Sequence, residues 1–121
     1  MAASTAFMNT CNGLIAALPS YIAFQAALAT YEAANDEAKA SAWHAVYGEN
    51  QAGGSLAIRL RRAIRDIVTA NAGSTESTLD REDAYRRLAA PFATRYEDRP
   101  LTQEQEIAAR VPLVQLAALN D

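Results

Sequence analysis

The apolar residues of this chain repeat at helical spacing almost from its start. Leu14, Tyr21 and Leu28 share one position of a seven-residue pattern, and Ala17, Phe24 and Tyr31 share another. A pattern of that period marks the seam of a packed helix. Asn35, Ala38, Ala42 and Ala45 continue it with small residues. The spacing predicts a short first helix over residues 4–18, ended by Pro19, and a long second helix over residues 20–47, closed by Gly48. Ser55 is placed to cap a third helix over residues 56–71, which Gly73 stops. A fourth is predicted over residues 79–97. Tyr85, Leu88, Ala89, Phe92 and Tyr96 keep helical spacing across Pro91, so a kink is expected there, not a break. Thr102 and Gln105 form a capping box for a fifth helix, with Pro112 inside it. The fold class expected is therefore all-α, a single domain over residues 1–121. It is a bundle of four to five helices with a long second helix, packed around residues 14–31.

Polar positions are as informative by their absence. No charged residue occurs before Glu32, and residues 111–120 carry none either. A helix face turned to water is normally polar, because burial gains it nothing. Ile15, Leu18, Ile22 and Ala26 lie off the seam, so the apolar surface is broader than a two-helix contact needs. One outcome is that the other helices wrap it. The other, preferred here, is that residues 1–31 and 111–120 are covered by other chains. Leu14, Leu18, Tyr21, Ile22, Phe24, Leu28, Leu113, Val114, Leu116 and Leu119 would then form an interface. Burying one such side chain is worth about 1.5–3 kcal/mol, and leaving several exposed invites aggregation.

Composition strengthens the helical reading. Ala, the best helix former, accounts for 28 of the 121 residues, against five Gly and four Pro. A net charge of −3 argues neither for nor against any class of partner. The single cysteine, Cys11, excludes an internal disulfide and sits in an apolar stretch as a small hydrophobe. No Lys or Arg precedes the apolar start, which argues against a signal peptide. Pro19, Ser20 and Gln25 interrupt the run that comes nearest to a membrane span. No membrane contact is expected, and the cytoplasm or the interior of a virus-like particle is the expected location.

Candidate chemistry is sparse. Arg59, Arg61, Arg62 and Arg65 cluster on the third helix. Arg62 can pair with Asp66, whereas Arg61 and Arg65 repel at the same i, i+4 spacing. The acids of the second helix region (Glu32, Asp36, Glu37 or Glu49) are their expected partners, with a protein surface as the alternative for Arg59, Arg61 and Arg65. The acidic balance and the lack of interleaved aromatics argue against nucleic acid. Glu82 with Arg86, Asp83 with Arg87 and Glu106 with Arg110 have the spacing of ordinary exposed pairs. No second His or Cys lies at ligand spacing from His44, so neither a metal nor another cofactor is expected.

His44 is followed by Gly48, Gly54 and Leu56 in the stretch WHAVYGENQAGGSL. This resembles the phosphoacceptor region of histidine phosphotransfer domains, which are four-helix bundles of about this length. The resemblance implies that His44 accepts the phosphoryl group and Gly48 leaves room for the partner. The family usually has a basic residue before that glycine, and here the residue is Tyr47. Without the cation, phosphoryl charge is less well stabilised.

These readings point to a non-catalytic protein that works by contact, as one subunit of a homo-oligomer or larger assembly. A connector or accessory subunit of a bacteriophage particle is one such role. The alternatives are a phosphotransfer module using His44 and a small inhibitor or immunity-type protein. The last would bind its partner through an acidic face of Glu32, Asp36 and Glu37.

Overall fold

The structure is a computed structural model that describes residues 3–49 and 51–100. Within them lie five α-helices and no strand: α1 (Thr5–Ala16), α2 (Pro19–Ala33), α3 (Asp36–Tyr47), α4 (Leu56–Asn71) and α5 (Thr78–Ala89). Two 3-10 turns, Ala90–Phe92 and Tyr96–Asp98, follow α5. The chain is an all-α bundle. The expected fifth helix, its capping box at Thr102 and Gln105, and the tail residues Leu113, Val114, Leu116 and Leu119 lie outside the described residues.

The helix at the centre is α4, not the segment 14–31. It packs against α1, α2, α3 and α5. Ala57, Leu60, Ile64 and Val68, spaced i, i+3 and i+4 along one stripe, are almost fully buried there. Against this stripe α1 sets Phe7, Met8, Cys11 and Ile15, and α2 sets Phe24. Much of the uncharged start is thus sheltered by the chain's own bundle. The Ser4 hydroxyl caps α1 by accepting from the Phe7 amide at 3.2 Å and donates to Glu76 Oε1 at 3.0 Å. The Ala3 amide donates to Asp83 Oδ2 at 3.0 Å. The bonds to Glu76 and Asp83 tie the start of α1 to α5 and to the loop before it.

Two expectations about helix continuity are corrected. The long second helix is two helices, parted at Ala34 and Asn35, both in extended conformation. Asn35 Oδ1 accepts from the Ala38 amide at 3.0 Å, and Asp36 and Glu37 occupy the first turn of α3. A side-chain cap and negative charge at an N-terminus both favour a new helix there. Pro91, in turn, breaks the fourth helix where a kink was expected. A proline has no amide hydrogen and clashes with the preceding turn. The chain tightens into the Ala90–Phe92 turn, and Ala93 is extended. That turn drives Phe92 inward, edge-to-face with Tyr21 at 5.9 Å and with Phe24 at 5.3 Å.

Residues 93–100 then cross the open side of α2 and α3. The Trp43 indole N–H donates to the Arg95 carbonyl at 3.1 Å, and the Tyr31 hydroxyl donates to the Asp98 carbonyl at 3.4 Å. Arg95 Nε donates to the Tyr47 hydroxyl at 2.8 Å. The ring of Tyr47 is itself buried between Phe24 and Trp43.

Candidate interaction surface

The residues expected to form an interface separate into three groups. Phe24 is a correction: only 1% of it is exposed, and it belongs to the core. Leu18, Tyr21 and Leu28 are half-buried, packed against the core from its edge. Leu14 and Ile22 remain at the surface, exposed to 42% and 61%. Around Ile22 the outward side of α2 carries Ala23, Ala26, Ala29 and Ala33, all exposed. The result is a face with one large aliphatic side chain among small ones and no charge between Ala3 and Tyr31. At its far end a shallow groove of about 490 Å³ opens between α2 and α3, lined by Thr30, Ala33, Ala38 and Ala42 among others. The angle between α1 and α2 is 69°, and no single described helix is long and apolar enough to cross a membrane.

The Arg cluster is engaged mostly inside the chain, but not by the acids expected. Arg65 pairs with Glu82 of α5 at 2.6 Å and lies over the Tyr85 ring at 3.7 Å. Arg59 donates to Gln51 Oε1 at 3.2 Å, and Arg62 donates to the Gly53 carbonyl at 3.0 Å. Arg61, half-buried, makes no side-chain hydrogen bond or ion pair among the described residues. Glu32 pairs instead with Arg95 at 3.5 Å, and Glu49 accepts from the Tyr96 hydroxyl at 2.7 Å. That bond, ahead of burial, raises the Tyr96 pKa above the usual phenol value. Of the expected i, i+4 pairs, Asp83 with Arg87 forms at 3.3 Å. Glu82 gives its carboxylate to Arg65, while Arg86 reaches only the Glu82 carbonyl at 3.4 Å. The third pair, Glu106 with Arg110, lies outside the described residues. Asp36 and Glu37 are exposed, but they sit at the start of α3, where negative charge serves the helix itself.

His44 stands in the last turn of α3, half-buried, with its ring edge-on to Trp43 at 5.0 Å. With Glu49, Tyr96 and Arg99 it lines a small cleft of about 60 Å³. Its Nε2 is buried. A Cβ at position 48 would collide with the His44 carbonyl and come within 3.0 Å of Nδ1. Glycine therefore follows His44 by four residues because the end of α3 needs it. Gln51 completes that end, donating to the His44 and Ala45 carbonyls at 2.7 and 3.0 Å. Cys11 is fully buried, and burial, then the charge of Glu76, pushes its thiol pKa up, away from nucleophilic chemistry.

Comparison of the chain with protein families, curated proteins and solved structures finds no match. Its function is therefore argued from its own residues.

Proposed function

We propose that the protein works by contact, as a non-catalytic subunit of a multi-chain assembly, with the outward face of α2 as its docking surface. The observation that carries this reading is Ile22, 61% exposed on a face without a single charge. A second copy is the partner that suits it. With no charge on it, the α2 face lets two copies meet without bringing like charges together. Within this class we favour a connector or accessory subunit of a bacteriophage or similar particle. Small size and the lack of any clustered His, Cys, Asp and Glu set among the described residues suit a part of that kind.

The test is sedimentation at micromolar concentration of the full chain and of Ile22→Glu. The wild type is expected above its 13.0 kDa chain mass and the variant at that mass. A wild type that stays at the mass of one chain refutes the reading.

One observation favours phosphotransfer as a second reading. Arg99 lines the same cleft as His44 and could supply the cation that Tyr47 does not. The buried Nε2 and the closeness of Nδ1 to Gly48 mean that the ring would have to turn outward to be phosphorylated. Incubation of wild type and His44→Gln with a phosphorylated response regulator tests it. Acid-labile label on the wild type alone supports phosphotransfer, and no label removes it.

A further inference from the structure

Residues 93–100, which cross α2 and α3, are held differently from the helices of the bundle. None of them is buried, and none belongs to the hydrophobic core. Phe92, immediately before them, is buried and anchors the start of the segment. Beneath the segment lie Trp43, 2% exposed, and Tyr47, 1% exposed. Four residues apart, they share one face of α3. The polar tip of each meets the segment: the Trp43 indole N–H donates to the Arg95 carbonyl, and the Tyr47 hydroxyl accepts from Arg95 Nε. We propose that residues 93–100 are a latch. They lift off as a unit while the five described helices stay packed, uncovering Trp43 and Tyr47, and Arg95 is the fastening.

Two observations carry this. The first is the kind of contact that holds the segment. It buries no apolar side chain of its own, so lifting breaks hydrogen bonds and ion pairs and little else on its side. Each such hydrogen bond is exchanged for one to water and contributes modestly. The ion pairs are partly exposed and contribute less. Opening α4, by contrast, would expose Leu60, Ile64 and Val68. Segments with few buried apolar contacts open at a lower free energy than the whole fold. The burial of the Trp43 and Tyr47 rings keeps the closed form the major one.

The second observation is that one side chain gathers most of the contacts. The Arg95 guanidinium lies over the Tyr47 ring at 5.7 Å, pairs with Glu32 of α2 at 3.5 Å and pairs with Asp98 of the segment at 3.5 Å. With the bond to the Tyr47 hydroxyl, it joins α2, α3 and the segment at one point. Two further side-chain bonds, Tyr31 to the Asp98 carbonyl and Tyr96 to Glu49, complete the hold. What the closed latch covers is a Trp and a Tyr with hydrogen-bonding tips, residue types enriched where proteins meet.

Trp43 is the only tryptophan, so its fluorescence reports on the latch and circular dichroism on the helices. The full chain and Arg95→Gln are titrated with urea, both signals being followed at a dilution that keeps copies apart. Trp43 emission is expected to shift to longer wavelength at lower urea than the helical signal is lost, with a shallower slope, since less surface is exposed. Without urea, Arg95→Gln is expected to raise acrylamide quenching of Trp43 several-fold with helical circular dichroism unchanged. Tyr96→Phe, which deletes only the bond to Glu49, should raise it less. Separate transitions in either protein support the latch. Coincident transitions in both overturn it, because segment and bundle then open together. Quenching that Arg95→Gln leaves unchanged also overturns it, as does loss of the helical signal in that variant without urea. None of these measurements requires association, so the latch and the assembly reading fail separately.

Discussion

Phe24 and Ile22 are two residues apart on one helix, and truncating each to alanine should give very different results. Phe24 is 1% exposed and lies edge-to-face with Tyr47 at 6.1 Å and with Phe92 at 5.3 Å. A buried Phe removes about 150–250 Å² from water. At about 25 cal/mol per Å² that is about 4–6 kcal/mol, of which alanine retains a part. Measured losses for such truncations run at about 3–5 kcal/mol, including the cavity left behind. A domain of this size has about 5–15 kcal/mol in total. Phe24→Ala should therefore remove about a fifth or more of the stability. Ile22 is 61% exposed, and its truncation in a dissociated chain should stay within about 0.5 kcal/mol. Urea unfolding followed by circular dichroism measures both, at concentrations low enough to keep copies apart. The midpoint should fall steeply for Phe24→Ala and hardly move for Ile22→Ala, with the slope preserved in each. As concentration rises, Ile22→Ala should begin to lag the wild type, because mass action stabilises only the chain that associates. Equal losses at high dilution would show that the inward and outward sides of α2 have been assigned wrongly, and the interaction surface would go with them.

Other expected outcomes rest on single contacts. Asn35→Ala deletes the α3 cap and should cost about 1 kcal/mol in the same unfolding assay; no change would mean that the α2–α3 break does not depend on that side chain. Gly48→Ala should lower Tm, since the added methyl meets the His44 carbonyl; a raised Tm, the usual entropic gain of replacing Gly, would contradict the close approach. The Ala3 amide, and after it Arg87, holds the Asp83 carboxyl below its ordinary pKa. A depressed folded-state pKa contributes stability that is present above the usual carboxylate range and lost as pH falls through the folded value. Asp83→Asn should therefore weaken the protein at neutral pH, and the gap to wild type should close on acidification; a gap constant with pH would refute the role of the charge.

The features legible in the sequence were those set by local chemistry. Ser55 caps α4 by accepting from the Ile58 amide at 3.1 Å, and Gly73 follows α4 with a positive φ of 57°. Both are matters of a few neighbouring atoms. The break at Asn35 was legible too, since Asn-Asp-Glu is a helix-start signature, but the alanine-rich seam on either side masked it. Pro91 was harder. The spacing from Leu88 to Phe92 fits a continuing helix as well as a tight turn, and the turn is the form in which Phe92 meets Tyr21 and Phe24, far along the chain. The two sides of α2 were not separable at all. Its 15 residues include one charge, Glu32, so no polar stripe marks which side faces water. Only the position of α4 decides that Phe24 turns in and Ile22 out. The Arg cluster followed the same rule: its charges were evident, but Glu82 and Tyr85 became partners of Arg65 only through the packing of α5.

Residues 93–100 hold their course in part through carbonyl groups grasped by side chains of earlier helices, Trp43 on α3 and Tyr31 on α2. A backbone carbonyl is present whatever residue supplies it. Part of the strap's course is therefore written in the helices beneath it, and the rest in its own Arg95 and Tyr96 side chains, which reach Tyr47 and Glu49.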